Sequence, residues 1–135
     1  MRIAFASLLF SLRLATCCDC VLPTVKAEVK RSEVVFRGTI TEIRDSQIVF
    51  TVHRVFKGRV PANFAMANWV MDDECSFGFA GRLVKTGNEL LVYAWRAEFF
   101  HEGLLTSVCS RTGFIHTASE DLKKLGRGHP PSRER

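Results

Sequence analysis

The sequence predicts an all-β fold, a small five-stranded barrel with one or two short flanking helices. Three observations carry this expectation. Segments with strand periodicity recur between turn signals from Val34 to Cys109. The first two are long, and the first loses phase partway, as a curved and bulged strand does. Glu89-Leu90-Leu91-Val92-Tyr93-Ala94-Trp95 is almost continuously apolar, as a central strand covered on both faces is.

Taken in order, Thr24 to Arg31 is charged and helix-compatible, with Val25 and Val29 four residues apart on one side. From Val34 the residues Val34, Phe36, Gly38 and Ile40 face one way, and Val35, Arg37, Thr39 and Thr41 face the other. Ile43 then falls on the wrong parity, and a slip beside Gly38 predicts a bulge. Asp45-Ser46 turns the chain. Ile48, Phe50, Val52 and Phe56 next alternate with Val49, Thr51, His53 and Val55, until Lys57-Gly58 stops the strand. A third apolar segment runs from Asn63 to Val70, and Met71-Asp72-Asp73-Glu74-Cys75 reads as an acidic loop. After the Glu89 to Trp95 strand, Leu104 to Cys109 supplies a last short one. Ala118 to Leu125 is helical, with Leu122 and Leu125 three apart and Gly126 as the stop. Five strands, a coiled first hairpin and a terminal helix suit the Greek-key barrel of the oligonucleotide/oligosaccharide-binding (OB) fold.

The first 17 residues form a leader: Met1-Arg2, an apolar run from Ile3 to Leu12, and a small-residue exit through Ala15 and Cys17. That run is about half the roughly 20 residues a membrane-spanning helix needs, so no transmembrane segment is expected. Cleavage before Cys18 is the primary reading. In a competing one, Leu14-Ala15-Thr16-Cys17 is a lipoprotein box with Cys17 acylated. The expected organisation is a signal peptide over 1–17, a barrel domain over 18–126 and a loose basic tail over 127–135, in a secreted or otherwise extracytoplasmic protein, extracellular or periplasmic.

Removing the leader takes Lys plus Arg from 19 to 17 against 14 acidic residues, a formal charge of about +3. The basic residues are dispersed apart from the tail, so no nucleic-acid partner is expected. Trp69 and Phe99-Phe100 have the chemistry of base-stacking platforms, but aromatics in an apolar pattern belong to a core. Catalysis is not expected either. His53, His101, His116 and His129 have no ligand spacing, Ser110-Arg111-Thr112 has no identifiable base, and no cofactor is implied.

Four cysteines, Cys18, Cys20, Cys75 and Cys109, follow the leader. In an exported chain this even number reads as a disulfide framework rather than a redox or zinc motif. Cys18 and Cys20 are too close to pair without strain, which leaves two connectivities, both tying the N-terminus to Cys75 and Cys109. Loops this long are worth roughly 4 kcal/mol each in the chain-entropy account.

The leader, the C-x-C start, Pro23, the run Ser32-Glu33-Val34-Val35-Phe36-Arg37-Gly38, Val55-Phe56-Lys57-Gly58, the isolated Cys75, Glu89-Leu90-Leu91-Val92-Tyr93 and Cys109 together resemble the N-terminal, netrin-like domain of the tissue inhibitors of metalloproteinases. The resemblance spans residues 18–125. It implies the OB barrel, the pairings Cys18 with Cys75 and Cys20 with Cys109, and a secreted, monomeric inhibitor of zinc metalloproteases. In that mechanism the free amine and carbonyl of Cys18 chelate the protease's catalytic zinc in trans, where the hydrolytic water would sit. An α-amino group titrates near pH ~8, so a useful fraction is neutral and able to ligate. Asp19 then points into the specificity pocket. Cys20 and Val21 fill the cleft, and Glu74, Cys75 and Ser76 lie alongside as a second part of the contact ridge.

The chain departs from the family pattern at Asp19, where Ser or Thr is usual. A carboxylate buried unpaired in an apolar pocket costs several kcal/mol. Pro23 stands one position later than the family's early proline, and a third disulfide and the family's C-terminal domain have no counterpart in these residues. The rival reading is a non-inhibitory OB module, secreted or lipid-anchored, that binds a protein or a glycan.

Overall fold

The computed structural model describes residues 20–68, 79, 84–97, 100–107 and 109–133. Helix α1 (Val25–Arg31) comes first, followed by β1 (Val34–Ile43), β2 (Gln47–Lys57), β3 (Asn63–Ala67), β4 (Glu89–Ala97), β5 (Phe100–Leu105) and β6 (Gly113–Phe114). A 3₁₀ turn over Ile115–Thr117 leads into α2 (Ser119–Leu125). The strands form one sheet in the order β3-β2-β1-β4-β5, with β6 paired to β4. All pairs are antiparallel. This sheet curls into a half-barrel that brings β3 towards β5, an OB-like all-β fold.

Helix α1 begins where Thr24 Oγ1 accepts the Ala27 amide at 3.2 Å. Such a cap satisfies one of the amides that a helix start leaves open. Its inward side carries Val25 and a fully buried Glu28, whose carboxylate is held by Arg31 Nη2 at 2.8 and 3.0 Å. Arg31 lies 4.2 Å over the Trp95 ring, and Lys57 Nζ donates to the Val29 carbonyl at 2.7 Å. A cation at that end complements the helix dipole.

Curvature comes from the β1–β2 ladder, which slips register at three points. The bulge predicted beside Gly38 is present, and its extra residue is His53 on β2. A second extra residue, Thr41 on β1, accounts for the parity of Ile43. The His53 bulge also corrects an expectation. It reverses the alternation, so Val55 rather than Phe56 enters the barrel core, while Phe56 packs on the outer face. The strand expected over Leu104 to Cys109 is instead β5, which starts at Phe100 and ends at Leu105, and Cys109 lies in the turn beyond it.

Inside the curl, Val34, Phe36, Ile40, Ile48, Phe50, Val52, Leu90 and Val92 form the main core, with Phe36 edge-on to Phe50 and Phe64 at 5.2 and 5.5 Å. Outside it, Val35, Leu91, Tyr93 and Ala118 meet Val29, Ile115, Leu122 and Leu125. Strand β4 serves both layers, which is why Leu90 to Ala94 are all fully buried. Burying each large side chain is worth about 1.5–3 kcal/mol.

Gly38 is required by close approach. A Cβ there would lie 2.9 Å from the Thr51 carbonyl oxygen and 3.3 Å from the Phe36 ring. Gly38→Val is therefore expected to destabilise by about 1–3 kcal/mol through overpacking. Urea unfolding checks this, and an unchanged midpoint would contradict it.

The tail expected to be loose is instead paired. Val55 and His129 exchange amide-to-carbonyl bonds at 2.8 Å in both directions, and the Ser132 amide donates to the Val60 carbonyl at 2.8 Å. The reason is an open edge. Strand β3 covers β2 only between Gln47 and Thr51, and buried Val55 needs partners further along. Gly126 and Gly128, at φ +77° and +62°, let the chain turn back, and a Cβ on Gly128 would come within 2.5 Å of the Val55 oxygen.

Candidate functional site

The N-terminal segment meets the barrel at two clamps. The first is the Cys20–Cys109 disulfide, with Cα atoms 5.2 Å apart across a separation of 89 residues. The second is polar: Arg111 Nη1 donates to the Pro23 carbonyl at 3.0 Å. Between them the side chains of Val21 and Leu22 are 92% and 54% exposed. A backbone held at both ends thus presents two adjacent apolar side chains to solvent.

Arg111 can grip Pro23 because its other side is fixed. Its Nε donates to Asp121 Oδ2 at 2.9 Å and its Nη2 to Asp121 Oδ1 at 2.5 Å, a bidentate pair. Tyr93 Oη donates to the same Oδ2 at 2.8 Å. Asp121 sits in the first turn of α2 and Tyr93 on β4, so α2, the central strand and the N-terminal segment converge on one guanidinium. Burial disfavours the Asp121 carboxylate. The bonds from Arg111 and Tyr93, with the charges of Arg111 and Lys124, outweigh it and hold this acid below its ordinary range. Burial pushes the Tyr93 phenol upward, and the Asp121 bond and charge add to that. The bond to Asp121 raises Arg111, against the opposing effect of burial. All three groups keep their charge states through neutral pH.

The disulfide end is braced separately. Thr112 Oγ1 accepts the Tyr93 amide at 2.9 Å and donates to the Tyr93 carbonyl at 3.2 Å. Thr106 Oγ1 lies 2.8 Å from Thr112 Oγ1 and 2.9 Å from Ser110 Oγ. These buried hydroxyls fix the turn that carries Cys109, whose amide donates to Ser107 Oγ at 3.2 Å. Paired polar groups of this kind rigidify where unpaired ones would destabilise.

Of the predicted site residues, Cys20 and Val21 lie in this segment, Cys20 joined to Cys109 as the resemblance implied. Cys18, Asp19, Glu74, Cys75 and Ser76 lie outside the described residues, as do the Cys18–Cys75 pairing, Trp69 and Phe99. Sequence reasoning missed Arg111, Asp121 and Tyr93. In sequence Ser110-Arg111-Thr112 offers only a hydroxyl without a base, and in the fold its residues act as braces.

The histidines are dispersed. His53 Nε2 lies 2.7 Å from Thr39 Oγ1, His116 stacks on Phe114, and His129 Nδ1 donates to the Pro130 carbonyl at 2.8 Å. Among the described residues no three His, Cys, Asp or Glu side chains gather in a metal-binding group, and no helix is long and apolar enough to cross a membrane. Compared with known proteins, the chain matches no family model and no curated sequence.

Proposed function

We propose that this protein is an exported inhibitor of zinc metalloproteases whose mature chain begins at Cys18. The observation that carries the reading is the N-terminal segment, tied to the barrel at Cys20 and at Pro23 and exposed at Val21 and Leu22. A wedge that enters a protease cleft needs this combination, because ordering a loose segment on binding costs affinity. The Cys20–Cys109 bond supports the family-like pairing by leaving Cys75 as the partner for Cys18. A long-range disulfide also suits an oxidising, extracytoplasmic compartment.

In this mechanism the Cys18 amine and carbonyl oxygen close a chelate on the protease zinc and displace the hydrolytic water. Asp19 enters the specificity pocket, Val21 packs in the cleft, and Glu74, Cys75 and Ser76 flank it. The test is titration of a panel of zinc metalloproteases with protein beginning at Cys18. Stoichiometric inhibition that competes with a small hydroxamate is expected for at least one member. No inhibition across the panel would move the rival, a non-inhibitory module binding a protein or glycan, to first place. Within the panel, Asp19→Thr is expected to tighten inhibition of enzymes with apolar pockets at least tenfold, since an unpaired buried carboxylate costs more than about 1.4 kcal/mol. Equal or weaker inhibition would show that Asp19 does not enter the pocket.

A further inference from the structure

A second feature shares no residue with the N-terminal clamp. On the outer face of β1, β2 and β4, beside the C-terminal end of α2, a cleft of about 530 Å³ is lined by Arg37, His53, Arg54, Phe56, Glu89, Leu122 and the Gly126-Arg127 turn. That size falls within the roughly 300–1,000 Å³ usual for small-ligand sites. Its charge is unbalanced. The one lining carboxylate, Glu89, is paired with Arg37. Arg54 donates from Nε to the Arg127 carbonyl at 2.9 Å, and no other hydrogen bond of its guanidinium is found among the described residues. Neither Arg54 nor Arg127 has an acidic partner among the described residues.

Two arginine forks without carboxylates are matched to tetrahedral oxyanions, which accept paired N–H bonds. The cleft also has an apolar side. Phe56 and Leu122 are each half-buried there, displaced outward by the His53 bulge and by the face α2 turns to the sheet. A hydrated inorganic ion would leave that wall unused. A sugar ring, with its apolar C–H face and hydroxyl edge, would cover it. Single-stranded nucleic acid fits less well, because Phe56 is the one phenyl, tyrosyl or indole ring among the lining residues and such strands need successive stacking platforms.

We propose that this cleft binds an anionic saccharide unit of one or two rings, its sulfate or phosphate held by Arg54 and Arg127 and its ring packed on Phe56. The pinned tail is what builds the site. His129 and Ser132 fix the segment after α2, and this brings the Arg127 carbonyl to Arg54 Nε, so that both arginines line the cleft.

The test is calorimetric titration of the full protein with a sulfated heparin-derived disaccharide, glucose 6-phosphate, maltose, inorganic sulfate and an oligothymidylate. Binding of either anionic sugar, with maltose and sulfate at least tenfold weaker, is expected. Preference for the sulfated disaccharide would identify a glycan chain as the source, and preference for glucose 6-phosphate a free sugar phosphate. Arg127→Ala and Arg54→Gln should each weaken binding about tenfold or more, the scale of losing a charge-assisted bond. Arg133→Ala, an exposed control outside the cleft, should not. Among the described residues the Arg127 side chain makes no hydrogen bond or ion pair, so its variant is expected to keep the parent melting temperature. Wild-type affinity in Arg127→Ala, sulfate binding as tightly as the sugars, tighter binding of the oligothymidylate, or no binding at all would each overturn the proposal.

Discussion

One residue added before Cys18 is expected to abolish metalloprotease inhibition while leaving the melting temperature unchanged. The extension converts the α-amine into an amide nitrogen, which has no lone pair to offer a metal. It also inserts bulk where the zinc must come within about 2.1 Å of a nitrogen ligand. The loss should therefore be complete rather than graded. Stability should not follow, because the clamps begin at Cys20, and the Cys20–Cys109 bond and the Arg111 bond to Pro23 lie downstream of the added residue. Inhibition constants for the two forms, measured beside thermal unfolding, check this. An extended form that inhibits as well as the parent would remove the chelate from the mechanism.

The second large effect is expected at Asp121. Asp121→Ala leaves the Arg111 guanidinium partly buried without its carboxylate and the Tyr93 hydroxyl without its acceptor. Breaking one side of a buried pair costs about 3–5 kcal/mol, and the lower end applies because the Arg111 side chain is 19% exposed. Inhibition should weaken as well, since an unheld Arg111 grips the Pro23 carbonyl poorly. Arg111→Lys separates the two roles: it keeps the charge but lacks the planar fork that reaches both partners. It should lose less stability than Asp121→Ala and still loosen the segment, seen as faster amide exchange at Val21 and Leu22.

The same pair predicts an acid limb. The folded acid at Asp121 titrates below its unfolded value, so its contribution is fully present above the unfolded aspartate pKa, near ~3.9, and is lost as pH falls through the lower folded value. Asp121→Asn should flatten the stability profile below about pH 4 relative to the parent. Urea midpoints across acid pH test this, and parallel profiles would contradict it.

Much of the barrel was legible because its main strands are long and patterned. Leu90 to Ala94 could only be buried on both sides, and the slip beside Gly38 was visible as a break in parity. The failures share a cause, since each depends on pairing that side-chain periodicity does not encode. Alternation alone points Phe56 inward, because the bulge that reverses β2 adds its residue at His53, which interrupts no apolar run. Strand β6 is two residues long and has no period. The tail pairs through backbone groups of His129 and Ser132, so its prolines and charges concealed the match, and only Gly126 and Gly128 hinted at the return path. At the site, Cys20 was legible from cysteine arithmetic. Arg111 and Asp121 lie ten residues apart across a turn and a 3₁₀ segment, a spacing that no local rule joins.

The central claim is that a free Cys18 amine stands at the head of a clamped segment. Its most direct test is the intact mass of the exported protein, before and after reduction and alkylation. The account predicts a chain beginning at Cys18 whose four cysteines accept alkylation only after reduction. A chain that retains Cys17, acylated or not, would block the chelate and contradict the account.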